Sequence, residues 1–443
     1  MSPTISNEAI ASLRGYIDTS TNPTSTTSIL PNALVHITDA CNTTLFTHAS
    51  SPITASTPPT AHSISVIQSL TKLVGAIAYL RLVERGLASL DDPALITKHL
   101  PELAAKKVLT GYTTDENGTK NWKFEDRKGD ITPRMLLNHT YGGGHTFFNT
   151  LLYSYFQDQV TWSQTNEAAD VYGTLLASPL LFQPGTKTNY GQGLDWIAVL
   201  IERITNQSLS SHLADEIFNP LSMSETGFEP GFGGDVLARN ANAGKFWPRV
   251  LRSGEEFVAL ESNEPEIHTR EDAFPTGKYH TGCLGTGLVS SAADYTRLLA
   301  ILLPQNGGVD PQTGYRVLRP ESVAEITSPQ LPAHIQNDSR NVPASGASPI
   351  ILPGILQTPH VDPEGSFGLG CGVQGADRVL ADGSRGRGKG SVYWYGAANT
   401  EYWVDVERGV VVYVNGNYYP WNEEAWTKFV AGVEKRVYEG LKE

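Results

Sequence analysis

A serine and a lysine three residues apart, Ser69 and Lys72, are the residues of this chain best suited to covalent chemistry. Positions i and i+3 share one face of a helix, so the lysine amine can reach the serine hydroxyl. A serine hydroxyl becomes an effective nucleophile only when a neighbouring base takes its proton. The pair therefore predicts a nucleophile with its base. The same Ser-x-x-Lys motif also fits a helix N-cap serine followed by a solvent-facing lysine.

Two later segments carry groups suited to the same chemistry, Tyr-Gly-Gln at 190–192 and Trp-Tyr-Gly-Ala at 394–397. A tyrosine in a turn before a helix can point its phenol into a cleft, so Tyr190 is a candidate proton relay. Gly396 permits close approach of a substrate, and the Ala397 N–H can point at a developing oxyanion. Taken singly, each segment also fits structural aromatic residues.

The elements that must position these groups can be predicted from hydrophobic periodicity. Apolar residues at helical spacing from Leu70 onward, with a capping Gly86, predict a helix that starts beside Ser69. Period-2 alternation predicts strands near both chain ends, and residues 94–230 have a mostly helical pattern. Further helices are predicted at 7–17, 193–205, 208–218, 288–303 and 422–441, and strands at 33–40, 43–50, 391–397, 399–406 and 409–416.

This order of elements predicts an α+β fold in which both chain ends build one antiparallel sheet around a helical insertion. We expect residues 1–95 and 281–443 to form a discontinuous α/β domain, and residues 96–280 to form a mostly helical domain. A Pro-rich stretch at 329–365 is too long for a plain connector and is a candidate wall of the site.

Composition excludes several classes of function. The net charge of −13 over 443 residues argues against nucleic acid and against an anionic membrane surface. We expect no membrane span, since there is no long apolar run, and a cytoplasmic location, since the N-terminus lacks a signal-peptide pattern. Cys41, Cys283 and Cys371 form no CxxC and are expected to be reduced core residues. No motif indicates a metal or another cofactor.

The chain as a whole resembles one family. A Ser-x-x-Lys motif with later conserved elements marks the serine β-lactamases and penicillin-binding proteins, and the chain is similar to their class C branch. Within that branch it most resembles the fungal polyketide transesterases and esterases of the lovastatin acyltransferase type, whose motifs read Ser-Ala-Thr-Lys and Trp-Tyr-Gly-Ala. The matching stretches are SLTKLVGAIAYLRLVERGLASLDDP (69–93), LLNHTYGG (136–143), IFNPLSMSETGF (217–228), GTGLVSSAADYTRLLAILL (285–303), SFGLGCGV (366–373) and WYGA (394–397).

The resemblance implies a β-lactamase/transpeptidase-like fold and a role for each candidate residue. Ser69 would be the nucleophile and Lys72 with Tyr190 the base pair. The N–H groups of Ser69 and Ala397 would form the oxyanion hole. The substrate-binding residues implied are Gln192, Trp394, Tyr395 and Gly396.

Departures from the family pattern narrow the substrate. Gln192 stands where Tyr-x-Asn has asparagine, and Trp394 stands where β-lactamases have a lysine or histidine. An indole has one neutral N–H and cannot pair with a carboxylate, so an apolar acyl or polyketide ester is favoured over a β-lactam. Tyr141 replaces a serine that usually follows His-Thr, and His139 is interpreted as structural.

These observations predict a serine esterase or transesterase. It would pass an acyl group from an ester or acyl thioester to water or an alcohol, with an acyl carrier protein as a candidate donor. We expect a monomer or a weak homo-oligomer. Two alternatives stay open: a D-amino-acid peptidase or β-lactamase of the same fold, and a catalytically inactive binding protein.

Overall fold

The computed structural model describes residues 2–24, 30–52, 58–159, 171–228, 240–242, 244–254, 256–259, 283–335 and 364–442. Its strands are β1 Thr4–Ile5, β2 Ala33–Asp39, β3 Thr44–Ser50, β4 Ser65–Val66, β5 Val108–Thr114, β6 Lys120–Glu125, β7 Gly227–Phe228, β8 Val250–Ser253, β9 Glu256–Ala259, β10 Leu288–Ser290, β11 Ser366–Phe367, β12 Gly372–Val373, β13 Val392–Gly396, β14 Thr400–Asp405, β15 Val410–Asn415, β16 Tyr418–Tyr419 and β17 Leu441–Lys442. Its α-helices are α1 Asn7–Ser20, α2 Thr71–Glu84, α3 Ala94–His99, α4 Pro101–Ala104, α5 Pro133–Leu137, α6 Thr150–Gln159, α7 Val171–Ala177, α8 Gly193–Thr205, α9 Leu209–Leu213, α10 Ala292–Ala300, α11 Pro320–Thr327 and α12 Glu424–Gly440.

The central feature is an antiparallel sheet built from both ends of the chain. Within the described ranges it has seven strands in the order β11-β12-β13-β14-β15-β2-β3. The N-terminal strand β2 pairs with the C-terminal strand β15, with Val35 opposite Val414. Both central strands, β14 and β15, are buried along their whole length, which explains the apolar run Val-Val-Val-Tyr-Val in β15. The predicted α+β sheet from the two chain ends is confirmed.

Helices cover both faces of this sheet. On one face, α1 and α12 pack together, and Tyr16 stacks on Phe429 with ring centroids 5.5 Å apart. On the other face lies α2, whose first ten residues are all buried, so it is a central helix and not a surface one. Gly86, with φ of +71°, follows the end of α2 as predicted. The sheet therefore holds α2, and with it Lys72, in the interior.

The region between α2 and β7 is largely helical, and its main helix is α8. This helix runs from Gly193 to Thr205, the predicted range, and packs against α2 and α5. The prediction of helices over 94–230 misses a hairpin, because β5 and β6 pair antiparallel around a turn at Gly118. The division of the chain into two domains at 95/96 and 280/281 stays a prediction.

One predicted helix, 288–303, is wrong at its start. Residues Leu288–Ser290 form strand β10, which pairs with Val66 and with Phe228 on its two sides. Ser291 then caps α10 by accepting a hydrogen bond from the Asp294 N–H. The apolar residues at the start of this stretch lie in a strand and those that follow lie in a helix, so helical spacing alone could not separate the two elements.

Three further expectations can be compared with the described residues. The Pro-rich stretch at 329–365 lies mostly outside them. Cys283 and Cys371 are buried, as expected, but Cys41 is exposed, so the expectation of a core residue is wrong there. No helix within the described ranges is both long enough and apolar enough to cross a bilayer.

Candidate active site

Ser69 lies in a single 3₁₀ turn, Gln68–Leu70, immediately before α2. The residue ahead of it, Gln68, has φ of +48°. This left-handed conformation costs a non-glycine residue about 1 kcal/mol. Its side-chain amide donates to the Tyr419 hydroxyl at 3.0 Å, which helps to hold the turn. The predicted helix start is therefore refined: Ser69 lies two residues before the first residue of α2, in a tight bend.

The segment around β10 holds this turn through three hydrogen bonds. The Ile67 N–H donates to the Leu288 carbonyl at 3.1 Å, and the Leu288 N–H donates to the Thr71 hydroxyl at 3.2 Å. The Tyr295 hydroxyl donates to the Leu70 carbonyl at 2.8 Å. At about 1 kcal/mol each, these bonds more than offset the strain at the bend. The matching stretch 285–303 is thus a support for the turn that carries Ser69.

Lys72 points from the first turn of α2 back to Ser69. Its Nζ is 3.3 Å from the Ser69 Oγ and 2.8 Å from the Gly285 carbonyl oxygen, and the residue is 1% exposed. The amine also faces the ring of Tyr190, with 4.6 Å between Nζ and the ring centroid. When protonated, an amine over an aromatic face gains about 1–2 kcal/mol. The solvent-facing lysine that the motif alone allowed is excluded.

Tyr190 reaches this pair from a turn that only glycine can form. A Cβ on Gly191 would lie 2.7 Å from the Gly144 Cα, so the 190–192 turn and the loop after α5 pack backbone to backbone. His139 sits behind the turn, with its ring 4.7 Å from the Tyr190 ring, and its Nδ1 accepts the Gly191 N–H at 3.4 Å. Burial, and secondly the positive charge of Lys72, hold the pKa of His139 well below its usual value. A neutral His139 fits the structural role expected of it.

Trp394 contacts Tyr190 directly. Its indole Nε1 donates to the Tyr190 hydroxyl oxygen at 3.4 Å, and this is the one hydrogen bond of that hydroxyl within the described residues. The indole is 9% exposed and stacks on Tyr395 with ring centroids 4.9 Å apart. The position that carries a cation in β-lactamases thus carries a neutral donor aimed at the tyrosine.

Gly396 brings the end of β13 against the Ser69 turn. A Cβ there would lie 2.5 Å from the Ile67 carbonyl oxygen, so the glycine is needed for strand-to-turn contact. Among the described residues, neither the Ser69 N–H nor the Ala397 N–H donates to an acceptor. Two free N–H groups on adjacent backbones are what an oxyanion requires. Close approach of a substrate was the expected reason for Gly396, and backbone packing is the reason seen here.

Aromatic rings line the surroundings of Tyr190 and Trp394. Neighbouring ring centroids lie 4.7–6.3 Å apart, and the members are His139, His145, Phe148, Tyr190, Phe367, Trp394, Tyr395 and Trp421. Tyr395, predicted to bind substrate, stacks between Trp394 and Trp421 and is partly exposed. Such a surface suits an apolar acyl group.

Gln192 is placed differently from the other predicted residues. It is 3% exposed, and the Ser178 hydroxyl donates to its Oε1 at 3.4 Å. Its side chain is part of the packing around α8, and contact with a substrate stays a prediction. The other candidates, Ser69, Lys72, Tyr190 and Trp394, are brought together.

Sequence reasoning missed the group behind Lys72. Asp195, in the first turn of α8, is 3% exposed and accepts the Gly285 N–H at 2.8 Å. An acid in the apolar first turn of the stretch Gly193–Thr205 was the available signal. The aromatic neighbours Phe148 and Trp421 come from distant segments and gave no local signal. Within the described ranges, no group of His, Cys, Asp and Glu could hold a metal ion.

Comparison with known proteins places this geometry in a family. The family described as Beta-lactamase matches residues 29–434. Similar curated proteins include a monacolin J acid methylbutanoyltransferase from Aspergillus terreus, 28% identical over 84% of this chain and 81% of its own length. A lovastatin esterase from Penicillium rubens is 29% identical over 79% of this chain and 78% of its own length. A mutant simvastatin synthase from Aspergillus terreus superimposes with a TM-score of 0.74 at 25% identity, covering 98% of this chain and 95% of that one. The chain belongs to the β-lactamase family of serine enzymes, with fungal acyltransferases and an esterase among its relatives.

Proposed function

We propose that this protein is a serine esterase or transesterase that carries an acyl group on Ser69. The observation that carries the proposal is the buried Lys72 amine, 3.3 Å from the Ser69 hydroxyl and facing the ring of Tyr190. A nucleophile, a base and a proton relay in contact are the parts that covalent acyl transfer requires.

The reaction follows from the positions of these groups. Ser69 Oγ attacks the carbonyl carbon while its proton passes to the Lys72–Tyr190 pair. The N–H groups of Ser69 and Ala397 stabilise the oxyanion of the tetrahedral intermediate. The leaving alkoxide or thiolate takes the proton from the pair, and the acyl-enzyme remains. Water or an alcohol then attacks this ester, its proton going to the same pair, and Ser69 is regenerated.

The aromatic surroundings support an apolar acyl group. The rings of Phe148, Phe367, Trp394 and Trp421 surround the approach to Tyr190 and offer no cation there. Relatives named for methylbutanoyl transfer and for lovastatin ester cleavage agree with a secondary-metabolite ester as substrate. A β-lactam carboxylate would lack its usual cationic partner, since Trp394 offers only an N–H that already points at Tyr190.

The proposal extends to the acyl donor and to the location of the protein. A thioester donor delivered by an acyl carrier protein is one source of acyl groups that the mechanism accepts. The protein is proposed to act as a monomer or weak homo-oligomer in the cytoplasm. Neither proposal alters the chemistry at Ser69.

Steady-state kinetics with short-chain p-nitrophenyl esters and acyl thioesters test the function. Wild-type protein is expected to release p-nitrophenol, and a secondary alcohol is expected to raise the rate and to appear as an acylated product. Ser69→Ala should retain the fold and lose turnover by about 10³-fold or more. Turnover by Ser69→Ala at the wild-type rate, or hydrolysis of a β-lactam faster than of any ester, would overturn the proposal.

A further inference from the structure

Asp195 is a buried carboxylate that is joined to the Lys72 amine through one residue, Gly285. Its Oδ1 accepts the Gly285 N–H at 2.8 Å, and the carbonyl of the same residue accepts from the Lys72 Nζ at 2.8 Å. A Cβ on Gly285 would lie 2.8 Å from the Asp195 Oδ2, so the carboxylate is packed directly on this residue. Gly285 therefore links the two groups, since its N–H binds the carboxylate and its carbonyl oxygen binds the amine.

The same carboxylate is held in place by a second donor. The Cys283 thiol donates to Asp195 Oδ1 at 2.9 Å. Burial, and secondly the negative charge of Asp195, raise the pKa of Cys283, so the thiol keeps its proton and acts as a donor. Asp195 itself lies in the first turn of α8, where the helix dipole favours negative charge. Its position is thus fixed from both α8 and the 283–285 segment.

The charges that face Lys72 come from several elements. Tyr190 presents its ring from the 190–192 turn, and His139, behind it, is neutral because burial lowers its pKa. Cys283 is a neutral thiol. Within the described residues no carboxylate pairs with the Lys72 amine directly at ion-pair distance, and Asp195 is the acid joined to it through one intervening residue. A buried amine without any nearby negative charge would be costly to protonate.

We propose that Asp195 is a positioning residue that holds the Gly285 carbonyl on the Lys72 amine and supplies the buried negative charge that balances it. This inference rests on the proposed function, because it assigns Asp195 to the Lys72–Tyr190 base pair. Its charge favours the protonated state of that pair, whichever of the two groups holds the proton. Removing the charge while keeping the acceptor therefore separates electrostatics from geometry.

The test is the pH dependence of kcat/KM for an activated ester with wild-type, Asp195→Asn and Asp195→Ala proteins. Asp195→Asn retains an amide oxygen that accepts the Gly285 N–H but carries no charge. Its acid limb is expected to shift by about one pH unit towards lower pH. Asp195→Ala leaves that N–H unpaired and is expected to lower kcat by about 10- to 100-fold at unchanged KM, a loss that Asp195→Asn largely rescues.

Asp39→Asn is the matched control. Asp39 is 4% exposed, and its Oδ1 accepts two backbone N–H groups at 2.9 and 2.8 Å, but it lies at the end of β2, next to the edge strand β3. Its pH profile should match wild type. A profile of Asp195→Asn that superimposes on wild type, or an equal shift in Asp39→Asn, overturns the inference. If Ser69→Ala loses turnover and the pH profile of Asp195→Asn matches wild type, this inference alone is wrong. If Ser69→Ala keeps full turnover, the proposed function is wrong.

Discussion

Replacing Gly396 by alanine tests whether β13 must touch the turn that carries Ser69. The added Cβ would lie 2.5 Å from the Ile67 carbonyl oxygen and 3.1 Å from the Gln68 Cβ. The first contact is with backbone, which cannot rotate away as a side chain can. To reach even 3.0 Å, the strand and the turn must separate by about 0.5 Å.

The expected loss follows from that displacement. A misplacement of about 1 Å at a reacting centre costs about 10²-fold in rate, and removal of one oxyanion donor costs about 10²- to 10³-fold. A separation of half that size, which moves the Ala397 N–H away from Ser69, should lower kcat/KM by about 10- to 100-fold. Overpacking adds a destabilisation of about 1–3 kcal/mol.

The assay is kcat/KM for a p-nitrophenyl ester together with the free energy of unfolding in urea. Gly15→Ala is the control, since Gly15 lies in α1 with nothing within 4 Å of an added Cβ. That variant should keep wild-type activity and gain about 0.5–1 kcal/mol of stability. A Gly396→Ala protein with wild-type kcat/KM would refute the reasoning, because the contact at Ile67 would then not position the N–H of Ala397.

Two other perturbations address Tyr190 and Glu202, the second buried acid of α8. Trp394→Phe keeps a ring beside Tyr395 but removes the N–H that donates to the Tyr190 hydroxyl, so kcat/KM for the same ester should fall about 3- to 10-fold. The thermal midpoint should also fall, because the smaller ring leaves a cavity. An unchanged kcat/KM would show that this hydrogen bond does not contribute to turnover. Burial raises the pKa of Glu202 to about 8, above its usual value. The protonated side chain therefore stabilises the fold fully at low pH, and this stabilisation is lost as the pH rises through about 8. Glu202→Gln keeps an acceptor for the Leu209 N–H. In urea, its free energy of unfolding should exceed that of wild type by up to about 4 kcal/mol at pH 9 and differ little at pH 5. Equal differences at both pH values would contradict this expectation.

The sheet and the main helices could be predicted because their residues follow one clear period. Strands β14 and β15 alternate or run apolar between short turns, and α8 carries helical spacing from Gly193 to Thr205. The same rules failed at Leu288–Ser290, where pairing with β4 and β7 overrides helical spacing. They also failed at the hairpin of β5 and β6.

The candidate site was predictable only in part, for a related reason. Ser69 and Lys72 are neighbours in the chain, so their contact follows from helix geometry. The roles of Tyr190 and Trp394 were predicted from resemblance, and the sequence did not predict the hydrogen bond between their side chains. Asp195 acts through Gly285, some 90 residues away, and such a relay exists only once the chain is folded.

Mass mapping of the trapped acyl group tests the central claim most directly. Wild-type protein mixed with an acyl thioester, quenched in acid and digested, should carry one acyl increment on the peptide that contains Ser69, and Ser69→Ala should carry none. The exposed thiol of Cys41 offers an alternative acceptor in the same digest and serves as an internal control for non-enzymatic acylation. An increment confined to Cys41, or turnover with an increment elsewhere than on Ser69, would contradict the account.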